Sequence, residues 1–174
     1  QDSDMGPVIS KEHKEKIESY ISIGVKEGAK LIEDGRNYKI QGYENGYFVG
    51  PTLFDNVTKN MSIYKDEIFG PILSVIEVAT NDEAVAIANR TEYGLAASVF
   101  TANTRQAIRA ARDIQAGTVT VNCYGEGNIS TPFGGYKQSG FGGRDNGLHA
   151  HDQFTELKTI WIDLTDPADG DNVG

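Results

Sequence analysis

The sequence predicts an α/β chain in which a parallel-rich sheet is covered by helices. Three observations carry that expectation. Helix-spaced and strand-like segments alternate through the second half of the chain. The strand-like segments there are apolar on both faces, the pattern of strands buried between helices. The composition, 39% hydrophobic and 24% charged over 174 residues, suits one domain with a substantial core.

Taken in order, the elements follow from local chemistry. Ser10 is a good helix N-cap, and Ile17, Tyr20, Ile21 and Val25 recur at helical spacing, so a surface helix is predicted over 11–27 with a stop at Gly28. "AKLIE" reads as a short strand. Residues 34–47 carry Gly, Asn and charge and read as a surface loop or hairpin. "YFVGPTLFDNV" and "GPILSVIEVA" have the β-branched and aromatic content of strands. "NDEAVAIANRT" predicts a short helix capped by Asn81 or Asp82, with Ala84, Ile87 and Ala88 inward. "YGLAASVFT" is a nearly continuous apolar strand. "NTRQAIRAARDIQA" predicts a helix with Ala107, Ile108, Ala111 and Ile114 on one face, opposite Arg105, Arg109 and Arg112. "GTVTVNCY" is a further strand.

A long glycine-rich loop follows, "GEGNISTPFGGYKQSGFGGRDNG", of a length that is uncommon without a function. A short helix is expected over 146–153. "TELKTIWIDL" then alternates Leu157, Thr159, Trp161 and Asp163 against Lys158, Ile160, Ile162 and Leu164, a strand of period two. Such a strand must pair with the parent sheet or with another chain. The expected boundaries are a partial domain over 1–154, the terminal strand over 155–164 and an acidic tail over 165–174.

The formal charge of −9, from 16 Lys+Arg against 25 Asp+Glu, argues against binding nucleic acid or an anionic membrane. The single cysteine, Cys123, excludes an internal disulfide and cysteine-rich zinc sites and fits a reducing compartment. No stretch reaches the length of a membrane span, and the first ten residues lack the regions of a signal peptide, so a cytoplasmic location is expected. Gln1 and an early Gly-Pro turn read as the middle of a longer chain.

Neither glycine-rich stretch is a dinucleotide fingerprint. "GFGGRDNG" has Asp145 where the third glycine belongs, "GEGNIS" ends in serine, and "GGYKQSG" is not a phosphate loop. Cys123, at the end of an apolar strand with no base evident in the sequence, reads as buried filler before it reads as a nucleophile. His13, His149 and His151 read as surface helix residues, since a lone H-x-H lacks the donor count for zinc. "DEIFGP", residues 66–71, puts acid and an aromatic ring before a Gly-Pro turn. On spacing alone the favoured reading is a solvated acidic corner with Phe69 in the core.

Several stretches taken together change that weighting. "GYFVGPTLFDNV", "DEIFGPILSV", "YGLAASVFT", "AGTVTVNCY", "TPFGGYKQSGFGGRD" and "FTELKTIWI" occur in the order seen in the C-terminal portion of NAD(P)-dependent aldehyde dehydrogenases. The resemblance runs from about residue 5 to 164, and the last loop is most similar to the γ-glutamyl-γ-aminobutyraldehyde dehydrogenase branch.

The resemblance implies that Glu67 accepts hydrogen bonds from the ribose hydroxyls on the nicotinamide side of NAD or NADP, and that Phe69 packs beside the nicotinamide. A carboxylate offers two acceptor oxygens to two vicinal hydroxyls, which fixes the sugar and aims the ring. It implies that Phe133, with Glu126 and Gly127 of "GEGN", lines the aldehyde pocket. Glu126 suits a substrate with a distant amine, or is simply a loop acid in water. It implies a homo-oligomer, dimer or tetramer, joined through 155–164. Relatives attack the aldehyde with a cysteine thiolate and hydrolyse the thioester with water activated by a glutamate. The motifs for both precede this region, and Cys123 matches a non-catalytic cysteine. The expectation is a segment of an aldehyde-oxidising enzyme without the reacting groups and inactive by itself. The rival is a stand-alone interaction module of the same fold.

Overall fold

The computed structural model describes residues 5–125 and 127–164. Two units form, one from residues 1–91 and 108–114, the other from 92–107 and 115–174.

The first unit opens with helix α1, Lys11–Lys26. Ser10 caps it, its hydroxyl accepting from the amide of His13 at 3.2 Å. Strand β1 (Lys30–Glu33) pairs antiparallel with β2 (Thr52–Asp55), and β2 pairs parallel with β3 (Ile72–Ser74). Helix α2 (Ser62–Lys65) lies in the β2–β3 connection, and α3 (Asn81–Ala88) follows β3. The core gathers Ile17 and Ile21 of α1, Phe54 of β2, Ile63 of α2, and Val49, Met61 and Ile68 from the connections. Ile17, Ile21 and Phe54 are 0% exposed, and complete burial of such a side chain is worth about 1.5–3 kcal/mol.

Two details of α3 differ from expectation. Its cap is Thr80, whose hydroxyl accepts from Glu83 N at 3.1 Å while the Glu83 carboxylate takes the amide of Ala79 at 3.0 Å. That reciprocal arrangement satisfies two donors, which neither Asn81 nor Asp82 could do from inside the helix. Val85 and Ile87 are the half-buried residues, whereas Ala84 and Ala88 are exposed.

In the second unit, β4 (Ala96–Val99) and β5 (Thr118–Val121) pair parallel through the register Ala96↔Thr118 to Val99↔Val121. Among the described residues, two of the three strand pairings are therefore parallel, as predicted. Helix α4, Thr104–Asp113, is divided between the two units. Ala107 is buried and Ala110, Ala111 and Ile114 are half-covered, but Ile108 is exposed, so the apolar face is displaced from the one expected. The continuous cover expected over β4 is also missing, since Ala96 and Ser98 are exposed. This chain supplies a core for the first sheet and only part of one for the second.

The expected helix over 146–153 is a 3-10 helix, Leu148–Phe154. Residues 155–164 join neither sheet, and every one of them is exposed. The alternation of "TELKTIWIDL" fits a strand, but among the described residues this segment pairs with no strand of either sheet.

Candidate functional site

The turn after α2 carries the first group of candidates. Its entry is held on α1, where the Tyr20 hydroxyl donates to Asp66 Oδ2 at 3.1 Å, a bond to the carboxylate that raises the phenol's pKa. Ile68 is 8% exposed and belongs to the core, while its neighbours Glu67 and Phe69 both face out. Phe69 is 72% exposed and has φ +57°. The spacing-based expectation of a core phenylalanine is therefore corrected, because Ile68 takes the inward place and alternation turns its neighbours outward. A bulky residue in the left-handed region costs about 1–2 kcal/mol, and an exposed ring recovers little of that by burial. Such strain collects where function requires a particular geometry.

Three successive carbonyls leaving the turn are each held. Pro71 O accepts from Thr52 N at 2.8 Å, Gly70 O from Ile72 N at 2.7 Å, and Phe69 O from Nε2 of His13 at 2.7 Å. Gly70 also lies flat on Ile17, where a Cβ would sit 2.7 Å from its side chain. Among the described residues neither oxygen of the Glu67 carboxylate takes an internal hydrogen bond or ion pair. The turn thus presents a free pair of acceptor oxygens and a bare aromatic face, two residues apart on an anchored backbone.

His13 was expected to be a plain surface residue. It is half-buried and engaged with the turn. The sequence did hold the signal. His13 precedes Ile17 by four positions, and with Ile21 and Gly24 it continues the inward stripe of α1.

In the second unit, a cleft of about 420 Å³ opens beside β4 and β5. Ala96, Ser98, Thr118 and Thr120 line it from the strands, and Gly127 and Phe133 line it from the glycine-rich loop. Its size falls in the range of small-molecule pockets. Within it the hydroxyls of Ser98 and Thr120 are bonded at 2.9 Å. Phe133 is held by a two-way bridge to Asp145, N to O at 2.7 Å and back at 2.6 Å. Asn128 Oδ1 accepts from the amide and hydroxyl of Ser130, tying the preceding turn to itself.

Gly117, just before β5, and Gly134, Gly135 and Gly140 of the loop serve close backbone approach. A Cβ on Gly117 would stand 1.7 Å from Gly134 O, and one on Gly135 would stand 2.3 Å from Ser139 O. Chain against chain at such distances admits no side chain. That accounts for these glycines without a phosphate.

Gly127 and Phe133 are therefore brought to one cleft, and Glu67 and Phe69 to one turn. Glu126 lies outside the described residues. Cys123 is half-buried at the end of β5, less enclosed than a core filler. His149 faces Asp152 at 3.4 Å in the exposed 3-10 helix. Among the described residues no cluster of three metal-ligating side chains forms, and no helix is long and apolar enough to cross a membrane.

Comparison with known proteins decides the family. The profile of the aldehyde dehydrogenase family matches residues 1–160. The chain belongs to the aldehyde dehydrogenase family. Aminoacetaldehyde dehydrogenase of Pseudomonas aeruginosa is 51% identical over 161 residues, covering 92% of this chain and 31% of that protein. Betaine aldehyde dehydrogenase of Brucella anthropi is 45% identical over 160 residues, covering 92% of this chain and 33% of that protein. Among solved structures, an indole-3-acetaldehyde dehydrogenase complexed with NAD+ superposes with a TM-score of 0.85 at 46% identity, covering 94% of this chain and 32% of the other. The chain thus spans about a third of the length of the family members it matches.

Proposed function

We propose that this chain is the C-terminal portion of an NAD(P)-dependent aldehyde dehydrogenase, a cytoplasmic homo-oligomer that oxidises an aldehyde to its carboxylic acid. The observation that supports it most is the turn at 66–71. Glu67 holds out an unengaged carboxylate and Phe69 an exposed ring, on a backbone fixed in a strained conformation. Those are the groups that a nicotinamide riboside needs, acceptors for its vicinal hydroxyls and an apolar surface beside its ring.

Bound NAD(P)+ supplies a hydride acceptor. This chain's part is orientation. The two oxygens of Glu67 fix the sugar, and the Phe69 ring limits where the nicotinamide can swing, so that binding energy becomes alignment. The cleft with Phe133 and Gly127 forms one wall of the aldehyde pocket. The aminoaldehyde and betaine-aldehyde relatives favour a substrate carrying a nitrogen group, which an acid at position 126 would receive. The nucleophilic cysteine and the general base belong to polypeptide other than these 174 residues.

The test is Glu67→Gln in the complete enzyme. Gln keeps the shape but replaces one acceptor oxygen with a donor and removes the charge. The KM for coenzyme should rise by about tenfold or more, the worth of a charge-assisted hydrogen bond, with the KM for aldehyde little changed. An unaltered coenzyme KM with unaltered turnover would remove the reading.

A further inference from the structure

We infer that His13 is a positioning residue for Phe69: its Nε2–H, carried on the first turn of α1, fixes the plane of the 69–70 peptide and so the left-handed backbone that aims the Phe69 ring. The inference rests on the reading of Glu67 and Phe69 as the coenzyme-facing pair.

Side-chain packing does not hold Phe69. The residue is 72% exposed, so its φ of +57° is not imposed by burial of the ring. Ile68 is fixed in the core before it, and Gly70 is pressed against Ile17 after it. Those anchors set where the turn sits but not how the peptide between residues 69 and 70 is rotated. Glycine at position 70 makes that rotation easy, because it has no Cβ to resist a new φ.

Of the carbonyls at 69, 70 and 71, the last two are taken by backbone amides, from Ile72 and Thr52. Only the first of the three is taken by a side chain, His13 Nε2, at 2.7 Å. A carbonyl cannot donate, so the ring presents Nε2–H. His13 is itself well placed to be rigid. Its amide is bonded to the Ser10 cap, and it lies one turn before Ile17, which is fully buried and touches Gly70. One helix face therefore holds the turn at two adjacent residues, Phe69 through a hydrogen bond and Gly70 through van der Waals contact.

Loss of the donor should leave the core intact and free the 69–70 peptide to turn over, which changes ψ of Phe69 and φ of Gly70 and takes Phe69 out of the left-handed region. The test is a double-mutant cycle in the complete enzyme with His13→Leu and Phe69→Ala. His13→Leu alone should lower kcat/KM for coenzyme by about tenfold or more, in line with the sensitivity of oriented reactants to small displacements. His13→Gln, which keeps a donor near the position of Nε2, should return it to within about threefold. In the Phe69→Ala background, His13→Leu should change it by less than about twofold, because the two residues act as one unit. Additive effects, or no rescue by Gln, would overturn the inference. His13→Ala replaces His13→Leu if the larger side chain prevents folding.

A crystal structure of the alanine variant gives a second readout, independent of activity. In the His13→Ala variant, a Phe69 carbonyl turned away from its present direction, with Phe69 out of the left-handed region, supports the role, and an unmoved carbonyl with Phe69 still left-handed overturns it. The failures are separable. If Glu67→Gln leaves coenzyme binding untouched, the coenzyme reading fails. If Glu67→Gln behaves as expected and the His13 cycle is additive, only the role of His13 fails.

Discussion

The carboxylate of Glu27, at the end of α1, accepts both the amide and the hydroxyl of Ser62, at 2.7 and 2.6 Å. Ser62 is the first residue of α2, whose own N-cap position is Met61 and offers no side-chain oxygen. The cap of α2 therefore comes from another helix, 35 residues earlier in the chain. It supplies an acceptor and a negative charge where a helix N-terminus favours both. Because α2 runs directly into the 66–71 turn, this cap belongs to the support of the candidate site.

The cap carries a pH signature. The Ser62 hydroxyl first, and its amide second, hold the Glu27 carboxyl below its usual range. A depressed folded-state pKa means that the stabilisation is fully present above the ordinary glutamate value and is lost as pH falls through the lower, folded value. Glu27→Gln should therefore lower the thermal midpoint of the complete enzyme at pH 7, and its difference from wild type should shrink toward pH 3. An equal deficit at both pH values would show that the charge is not the agent.

Gly24 presents a contest of two effects of opposite sign. It lies within α1, where Gly→Ala normally gains about 1 kcal/mol from helix propensity. A Cβ there would stand 2.9 Å from Cζ of Phe54 and 3.0 Å from Cδ1 of Ile63, both buried. Phe54 is fully enclosed and cannot swing away, and overpacking of this kind costs about 1–3 kcal/mol. The clash wins, so Gly24→Ala should destabilise by about 1 kcal/mol in denaturant titration. Stabilisation would mean that the Phe54 ring has room to shift.

Much of this was legible in the sequence because it is local. Ser10 as cap, the 3.6-residue stripe of α1 and the parallel strands at 96–99 and 118–121 each follow from spacing within a few turns. What was not legible is what depends on partners distant in sequence. Glu27 capping Ser62 and His13 meeting Phe69 span 35 and 56 positions, which no window of periodicity covers. Phe69 was read as core from its apolar character, yet the choice between Ile68 and Phe69 for the inward place depends on which one meets Ile17 and the rest of the core. The reverse also holds: Gly134, Gly135 and Gly140 were visible, but their reason, backbone pressed on backbone, appears only in three dimensions.

Gly117 tests that reason. Its Cβ would overlap the carbonyl oxygen of Gly134 at 1.7 Å, and backbone cannot step aside as a flexible side chain can. Gly117→Ala should therefore cost about 3 kcal/mol or more, and it should displace the segment that carries Phe133. In the complete enzyme the KM for aldehyde should rise before the KM for coenzyme does. Wild-type stability and kinetics in this variant would show that the two strands of chain can separate without consequence.

The last ten described residues carry a prediction about assembly. Leu157, Ile160, Trp161, Ile162 and Leu164 are all exposed, Trp161 at 90%, on a segment whose alternation is that of a strand. Five large apolar side chains in ten residues would make an isolated surface prone to association, and an unpaired strand completes itself on a sheet edge. The edge we propose belongs to a second copy of the enzyme. Replacing Leu157 and Trp161 together by Asp puts two charges on one side of that strand, where pairing would bury them without partners. Sedimentation of the complete enzyme should then show a smaller assembly than wild type at the same concentration, with the circular dichroism of the helices retained. An unchanged mass with the double substitution in place would show that this segment is not what joins the copies.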